Sequence, residues 1–533
     1  MELKKIIFVL IAIVLVARIF TAVMLPDTAY TDTIYHLSIA KEISKTGAMP
    51  FNSDAKELAW QGINGELPPQ FFHVAIANLF IASGTEFNFD LIAFFPLAVM
   101  LLQLGLVFLI CRLFFESYGK GSSLALIAFL FAAIQPVFGI YSSVNYPDSF
   151  AALFVLFSVY LLVKFERTKN TAFLFLLPFA VSAAALSKLT AMILLPVFLL
   201  AIVFYSVRSK VKHAKKIAVA IALATFLLSS FWYFSDFQRQ SIEHPELSFF
   251  QKFFPSNTSE IKNLTEAGSF TLVDSPLNSP PDFIVQFNES FWFFLPYSLQ
   301  SNVPFMGIFS IETLRLLFAI LTFPILAVTI CGFLLIMFKR EKYWLLILLL
   351  FIFAAVPFAE RLQRIISMRM LLPVLPFFGI FFARGLLGLR ESKPVIGKVV
   401  LALFLLTVVY SLGFMVSTAL YYEKSFAEAR PAYEFIKTLP EDSRLVAQRH
   451  LVRGIIFFGN HDANRDWDEY AAMNAEKLYA VLKGLKANSK VDYLLWTCSK
   501  NPWNPGALAE LESRKLLVPV FRSECSKVYE ING

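Results

Sequence analysis

The chain has 533 residues, of which 57% are hydrophobic, 59 are Phe and only 16% are charged, giving a mean hydropathy of +0.64. That composition excludes a soluble globular enzyme and a disordered chain, and it reads as a polytopic membrane protein. The net charge of +8 is placed by Lys and Arg in short loops between apolar runs, as in membrane proteins, so nucleic acid is not an expected partner.

Taken in chain order, the hydropathy predicts about eleven spans, each near the 20 residues that cross a bilayer. They fall at 6–25, 91–111, 122–140, 148–163, 171–186, 189–206, 217–234, 313–337, 343–358, 370–388 and 399–420. The first is read as an uncleaved span, since it is long and lacks a small-residue cleavage site. With the N-terminus cytoplasmic, the alternate loops carry Arg112 and Lys120, Lys164 to Lys169, Arg208 to Lys216, Lys339 to Lys342, and Arg390 to Lys398. Every one of them obeys the positive-inside rule. The loops 26–90 and 235–312 and the tail then lie outside. Independently, the glycosylation acceptor pattern N-x-[ST] occurs at Asn257, Asn263 and Asn288, all within the 235–312 loop. The run 68–84 is too short to cross, and counting it as a span would reverse every later loop.

The first external loop is therefore expected to hold two interfacial helices, roughly 33–46 and 69–82. Ile34, Leu37, Ala40 and Ile43 give the first an apolar stripe suited to the lipid boundary. Asp32 heads that helix and Gly47 stops it. Asp32 can serve there as an ordinary N-cap, or as a carboxylate that takes a proton from an incoming hydroxyl. The same face breaks the charge rule: Arg361, Arg364 and Arg369 precede the tenth span, and Lys188 sits between two spans with almost no loop. Cations at headgroup depth need a partner. Pairing with Glu360 or snorkelling to water satisfies any one of them, but as a group they suit a lipid phosphate. Carboxylates opposite phosphate-seeking cations suggest transfer of a sugar from a lipid phosphate to a hydroxyl, with inversion at the anomeric carbon. No Gly-rich nucleotide loop is evident in the sequence.

Five segments carry a family resemblance: "TDTIYHLSIAKEISKTG", "GELPPQFF", "NYPDSFAALFVLFSVYLL", "ALSKLTAMILLP" and "MRMLLPVLPFFGIFFARGL". In this order the chain resembles the GT-C membrane glycosyltransferases of the branch holding protein O-mannosyltransferases and the aminoarabinose transferases of lipid A. The resemblance implies a GT-C-like transmembrane module over 1–423. It implies Asp32 as the catalytic aspartate, Tyr35 as the family's tyrosine, Glu66 as the second carboxylate and Asp148 as the acidic residue heading the fourth span. Lys188, Arg361, Arg364 and Arg369 are the matching donor-binding candidates. Two positions depart from the family pattern. Thr33 stands where the family often has Glu, and Leu67 stands where the aminoarabinose branch has a donor-contacting Lys. Asp148 after Pro147 also complements a helix dipole without any catalytic role.

The tail, 424–533, reads as a small extracytoplasmic α/β domain. The strand-like runs "RLVAQ", "GIIFFG", "VDYLLW", "LLVPVF" and "KVYEI" alternate with helical stretches near 426–438, 470–486 and 505–514. "NRDWDEY" lacks the order and the glycine of the oligosaccharyltransferase Trp-Trp-Asp-Tyr-Gly motif. His450 and His461 lack a ligand cluster and are read as structural or solvated. Cys498 and Cys525 flank strand ends, which leaves both a bridge and free thiols open. The expected protein is thus an integral plasma-membrane transferase with its site outside. Its donor would be a polyprenyl-phosphate-linked sugar, and its acceptor a protein, lipid or glycan hydroxyl. No nucleotide is needed, no cofactor is assigned, and a divalent metal is left open. A lipid-sugar flippase or another transporter is the rival reading, ahead of a non-catalytic membrane assembly protein; a transporter would usually show paired repeats and midplane charges.

Overall fold

A computed structural model describes residues 2–24, 31–47, 71–84, 89–116, 118, 121–208, 214–243, 311–341, 343–360, 371–440, 442–447, 451, 454–455, 461–465, 473–498 and 504–532. Each predicted span falls on helix. The first is α1 (Glu2–Met24), followed by the two short loop helices α2 (Thr31–Thr46) and α3 (Phe71–Ser83). Then come α4 (Phe89–Phe115), α5 (Gly121–Ile134), α6 (Pro136–Tyr141), α7 (Pro147–Thr168), α8 (Ala172–Ala185), α9 (Leu189–Met192), α10 (Leu195–Arg208) and α11 (Ala214–Glu243). The bundle is completed by α12 (Ile311–Phe338), α13 (Trp344–Glu360), α14 (Phe377–Ser392) and α15 (Pro394–Ile436). Five of these, α1, α4, α7, α12 and α15, are long and apolar enough to cross a membrane on length and composition.

Proline chemistry accounts for where the spans depart from single helices. The run 122–140 splits into α5 and α6 because Pro136 takes the first position of a new helix after an extended Gln135. The run 370–388 enters helix only at Phe377, after Pro373 and Pro376 keep Leu371–Pro376 in turns. The run 189–206 divides into α9 and α10. Conversely, the expected break between the last span and the tail is absent: α15 is one helix of 43 residues that carries Pro431 inside it.

Close packing relies on glycine at one crossing. A Cβ on Gly332 of α12 would overlap the Phe381 carbonyl of α14, and one on Gly385 would overlap the Val328 carbonyl of α12. Small residues let helix backbones approach this closely where lipid tails offer no hydrophobic drive. Arg18 is a further buried feature, fully inaccessible on α1. It donates to Ser142 Oγ at 2.5 Å and stands over the Phe138 ring at 5.2 Å.

The tail builds a five-stranded mixed sheet of order β2-β1-β3-β5-β4. Its strands are β1 (Arg444–Ala447), β2 (Asp462–Arg465), β3 (Val491–Thr497), β4 (Leu517–Arg522) and β5 (Ser526–Ile531). Two helices, α16 (Ala475–Ser489) and α17 (Pro505–Ser513), connect them. The strand expected at "GIIFFG" is not formed: Gly454 and Ile455 are helical, the remainder lies outside the described residues, and the edge strand β2 is the polar "DANR" instead. Period-two alternation sorts the sheet's side chains. Leu445, Ala447, Leu495 and Val528 join Tyr433 and Ile436 of α15, while Val446, Leu494 and Tyr529 pack on Leu478, Leu482, Leu508 and Leu511 of the two helices. Cys498 and Cys525 form a disulfide with Cα atoms 5.2 Å apart, resolving the choice that the sequence left open.

Candidate active site

Both loop helices were expected where they lie, and their ends obey simple rules. Gly47 closes α2 at φ +67°, and Gly84 follows α3 at φ +63°, conformations that L side chains avoid. At 13 residues, α3 is about 20 Å long, short of the roughly 30 Å hydrocarbon core. The surroundings of α2 correct the expectation of a lipid-facing stripe. Ile34, Leu37, Ala40 and Ile43 are all buried in protein, in one cluster with Phe72, Ile76 and Phe80 of α3 and Phe150 of α7. A 16-residue helix with four buried aliphatics at that spacing gains more from a fixed protein partner, at about 1.5–3 kcal/mol per large side chain, than from a shallow lipid contact.

This packing brings the starts of α2, α3 and α7 to the break between α8 and α9. The Phe71 amide donates to the Leu186 carbonyl at 3.0 Å, tying α3 to the end of α8. Lys188 then runs extended (φ −155°, ψ 133°) before α9 begins. Its Nζ stands 3.2 Å from Asp148 Oδ2. Asp148 is 3% exposed and Lys188 21%, so this pair is largely withdrawn from water. The carboxylate oxygen lacks an aligned hydrogen bond, and the attraction is therefore Coulombic. Asp148 also occupies the first turn of α7 behind Pro147, where the helix dipole favours it. Gln103 of α4 steadies that turn by donating to the Ser149 carbonyl at 2.6 Å.

Two histidines that sequence reasoning passed over complete the cluster. His36 Nδ1 and His73 Nε2 are 2.9 Å apart, one helix each from α2 and α3, and both rings are buried. Phe72 and Tyr146 meet the His36 ring edge-on at 6.0 and 6.2 Å. Burial, reinforced by the positive charge of Lys188, holds His73 down to a pKa of about 3, so the ring is neutral at ordinary pH. A usable signal existed for each: His36 lies one turn after Asp32, and His73 is the lone ionisable residue of an otherwise apolar helix.

The sequence-derived candidates divide cleanly. Asp148 and Lys188, 40 residues apart in sequence, are brought into contact. Asp32 and Tyr35 take helical positions in the first turns of α2, and their side chains lie outside the description. Glu66, Arg361, Arg364 and Arg369 also lie outside the described residues. Lys188 was read as a cation in want of an anion, and its partner within the chain is Asp148. Among the described residues the three-member grouping of potential metal ligands is Glu428, Cys498 and Cys525, and both sulfurs are committed to the disulfide. His461 is buried against the sheet and His450 lies outside the described residues.

At the opposite end of the bundle, loops predicted to share one side of the membrane do meet. Arg384 Nε donates to Glu341 at 2.7 Å, Tyr118 donates to the same carboxylate at 2.6 Å, and Arg167 pairs with Glu116. The Asp148–Lys188 pair and these contacts thus occupy different ends of the bundle.

Residues 68–234 match the family of dolichyl-phosphate-mannose-protein mannosyltransferases. Among solved structures, the fold is similar to the Archaeoglobus fulgidus oligosaccharyltransferase tethered to an acceptor peptide containing the NVT sequon. The TM-score is 0.52 at 14% identity, covering 92% of this chain and 69% of that one. At that identity the likeness shows a shared fold. ArnT from Cupriavidus metallidurans, bound to undecaprenyl phosphate, aligns over 99% of this chain and 98% of its own at 15% identity, with a TM-score of 0.48. Comparison with curated proteins finds no match. The family match begins at Pro68, just before α3, and ends within α11, so it contains His73, Asp148 and Lys188.

Proposed function

We propose that this chain is an inverting glycosyltransferase that moves a sugar from a polyprenyl-phosphate carrier to a hydroxyl acceptor on the extracytoplasmic side of the plasma membrane. In this reading 1–423 is the catalytic module, the loops 26–90 and 235–312 are external, and 424–533 is an extracytoplasmic unit. Asp32 is the general base. It takes the proton as the acceptor O–H bond breaks, the oxygen bonds the anomeric carbon, and the carbon–oxygen bond to phosphate breaks with its electron pair leaving on the lipid phosphate. Lys188 and the arginines 361, 364 and 369 offset the charge that develops on that phosphate, and Tyr35 and Glu66 complete the contacts to substrate. Asp148 holds Lys188 in place. An ammonium has three N–H donors, so one directed at Asp148 leaves others for phosphate.

The observation that carries this reading is the Asp148–Lys188 pair, held at the end of the bundle where the first turn of α2 also lies. The family match makes mannose the sugar to test first, with a protein, lipid or glycan as acceptor. The test is Asp32→Asn, which keeps the size and shape of the side chain and removes the proton acceptor. Transfer from polyprenyl-phosphate mannose is expected to fall about 100-fold or more with folding intact. Turnover near that of the unaltered protein would leave Asp32 as a first-turn carboxylate favoured by the helix dipole alone.

A further inference from the structure

The hydrogen bond between His36 and His73 is the direct polar link seen between α2 and α3 among the described residues. Around it the two helices pack through Ile34, Leu37, Ala40 and Ile43 on one side and Phe72, Ile76 and Phe80 on the other, and a buried polar pair adds to such apolar packing a preference for one geometry. The direction of this bond follows from what surrounds it. His73 Nδ1 is buried with no partner, and Lys188 sets a positive charge near the ring. A proton on Nδ1 would be a buried N–H without an acceptor, the rarer and costlier arrangement. The Nε2 tautomer, in which His73 donates to His36 Nδ1, is the one that leaves no unpaired buried N–H on His73.

We propose that His36 and His73 are positioning residues for the transfer reaction: the donated hydrogen bond from His73 Nε2 to His36 Nδ1 locks the rotation of α2 on α3 and so fixes where Asp32, one turn before His36, meets the acceptor. The proposal rests on the reading of Asp32 as the base. It predicts a loss in the chemical step rather than in donor binding, because neither imidazole is required to touch the lipid phosphate. A misplacement of about 1 Å at a reacting group can cost as much as a hundredfold.

The side-chain amides separate this role from simple core packing. In His73→Gln the amide nitrogen reaches the position of Nε2 and can still donate, and in His36→Asn the amide oxygen stands in for Nδ1 and can still accept. His73→Leu and His36→Leu fill space without either function. With the full-length protein in detergent and polyprenyl-phosphate mannose as donor, kcat is expected to fall about tenfold to a hundredfold in both Leu variants at unchanged donor KM. His73→Gln and His36→Asn are expected to keep most of it. Nitrogen-15 spectra of histidine-labelled protein supply a readout independent of activity, expected to show His73 protonated on Nε2. Equal losses in the Leu and amide variants, or His73 protonated on Nδ1, would overturn the proposal. Full kcat in His73→Leu alongside an inactive Asp32→Asn would sink the positioning role alone. Full turnover in Asp32→Asn would remove both it and the reading on which it rests.

Discussion

Replacing Lys188 with Met leaves the carboxylate of Asp148, only 3% exposed, without its countercharge. At their 3.2 Å separation two unit charges attract by about 5 kcal/mol at an effective dielectric of about 20. Removing one partner of a buried pair costs about 3–5 kcal/mol in general. Lys188 is 21% exposed, so water screens part of the interaction, and a loss of about 2–3 kcal/mol is expected. Asp148→Asn in the same chain removes the stranded charge while keeping the shape, and should return about 1–2 kcal/mol of that loss. The assay is a double-mutant cycle from denaturant or thermal unfolding in one detergent. Losses that add to within about 0.5 kcal/mol would show that the two groups do not interact, and would refute the pair as the element that organises this end of the bundle. The double variant also isolates the functional role of the ammonium. It should remain weak for lipid-phosphate donor by about 1.5–3 kcal/mol even with stability recovered, and donor binding equal to that of the unaltered protein would take Lys188 out of the phosphate site.

The disulfide closes a sequence separation of 27 residues, so Cys498→Ser should lower the stability of the sheet by about 3.5 kcal/mol on the chain-entropy argument; unchanged urea resistance of the tail would contradict it. Gly385→Leu should drive α14 off α12, since even a Cβ overlaps the Val328 carbonyl, with a cost above about 2 kcal/mol; a variant that unfolds like the parent would show that the crossing has slack. A cysteine introduced near residue 270 should react with an impermeant reagent added outside intact cells and one near 212 should not, and the reverse pattern would invert the topology.

The bundle was readable because a membrane span is a long, crude signal: each apolar run near 20 residues falls on helix, and basic loops predicted to share one side meet through pairs such as Arg167–Glu116. Where the reading failed, the deciding contact was tertiary. Nothing local says that Ile34, Leu37, Ala40 and Ile43 face protein rather than lipid, since both reward the same stripe; Phe72, Ile76 and Phe80 decide it. The helical stretch predicted near 426–438 already ran through Pro431, but its continuity with the last span was not expected; α15 is one helix over both, and packing of Ala432, Tyr433 and Ile436 against the sheet outweighs the hydrogen bond missing at Pro431. The edge strand "DANR" has none of the apolar alternation of a strand and is selected by parallel pairing with β1. For the site, sequence reasoning named Asp148 and Lys188 separately on charge and motif, while their contact depends on how α7 meets the α8–α9 break. It missed His36 and His73 because the signal each carries, one turn after Asp32 and alone among apolar residues, does not say that the other is its partner. Arg18 escaped for the same reason, its neighbour Ser142 being 124 residues away.

The continuity of α15 bears on what the tail can do. A flexible linker after the last span would leave the sheet free to move relative to the bundle, but a single helix reaching Ile436 fixes its direction, and Phe435 stacks on Phe521 of β4 at 5.0 Å. The cluster that receives Leu445, Leu495 and Val528 from the sheet also holds the buried residues of α2 and α3 and Phe150 of α7. One apolar core is therefore shared by the sheet, the two loop helices and the first turns after Asp148. Deformation at any part of that core is transmitted to the others, because close-packed interiors yield little. The tail thus supports the arrangement of the candidate site although none of its described residues joins the His36–His73 or Asp148–Lys188 contacts, and substitutions on the face of β3 and β5 toward α15 belong with the site's supporting residues rather than with those of an independent appendage.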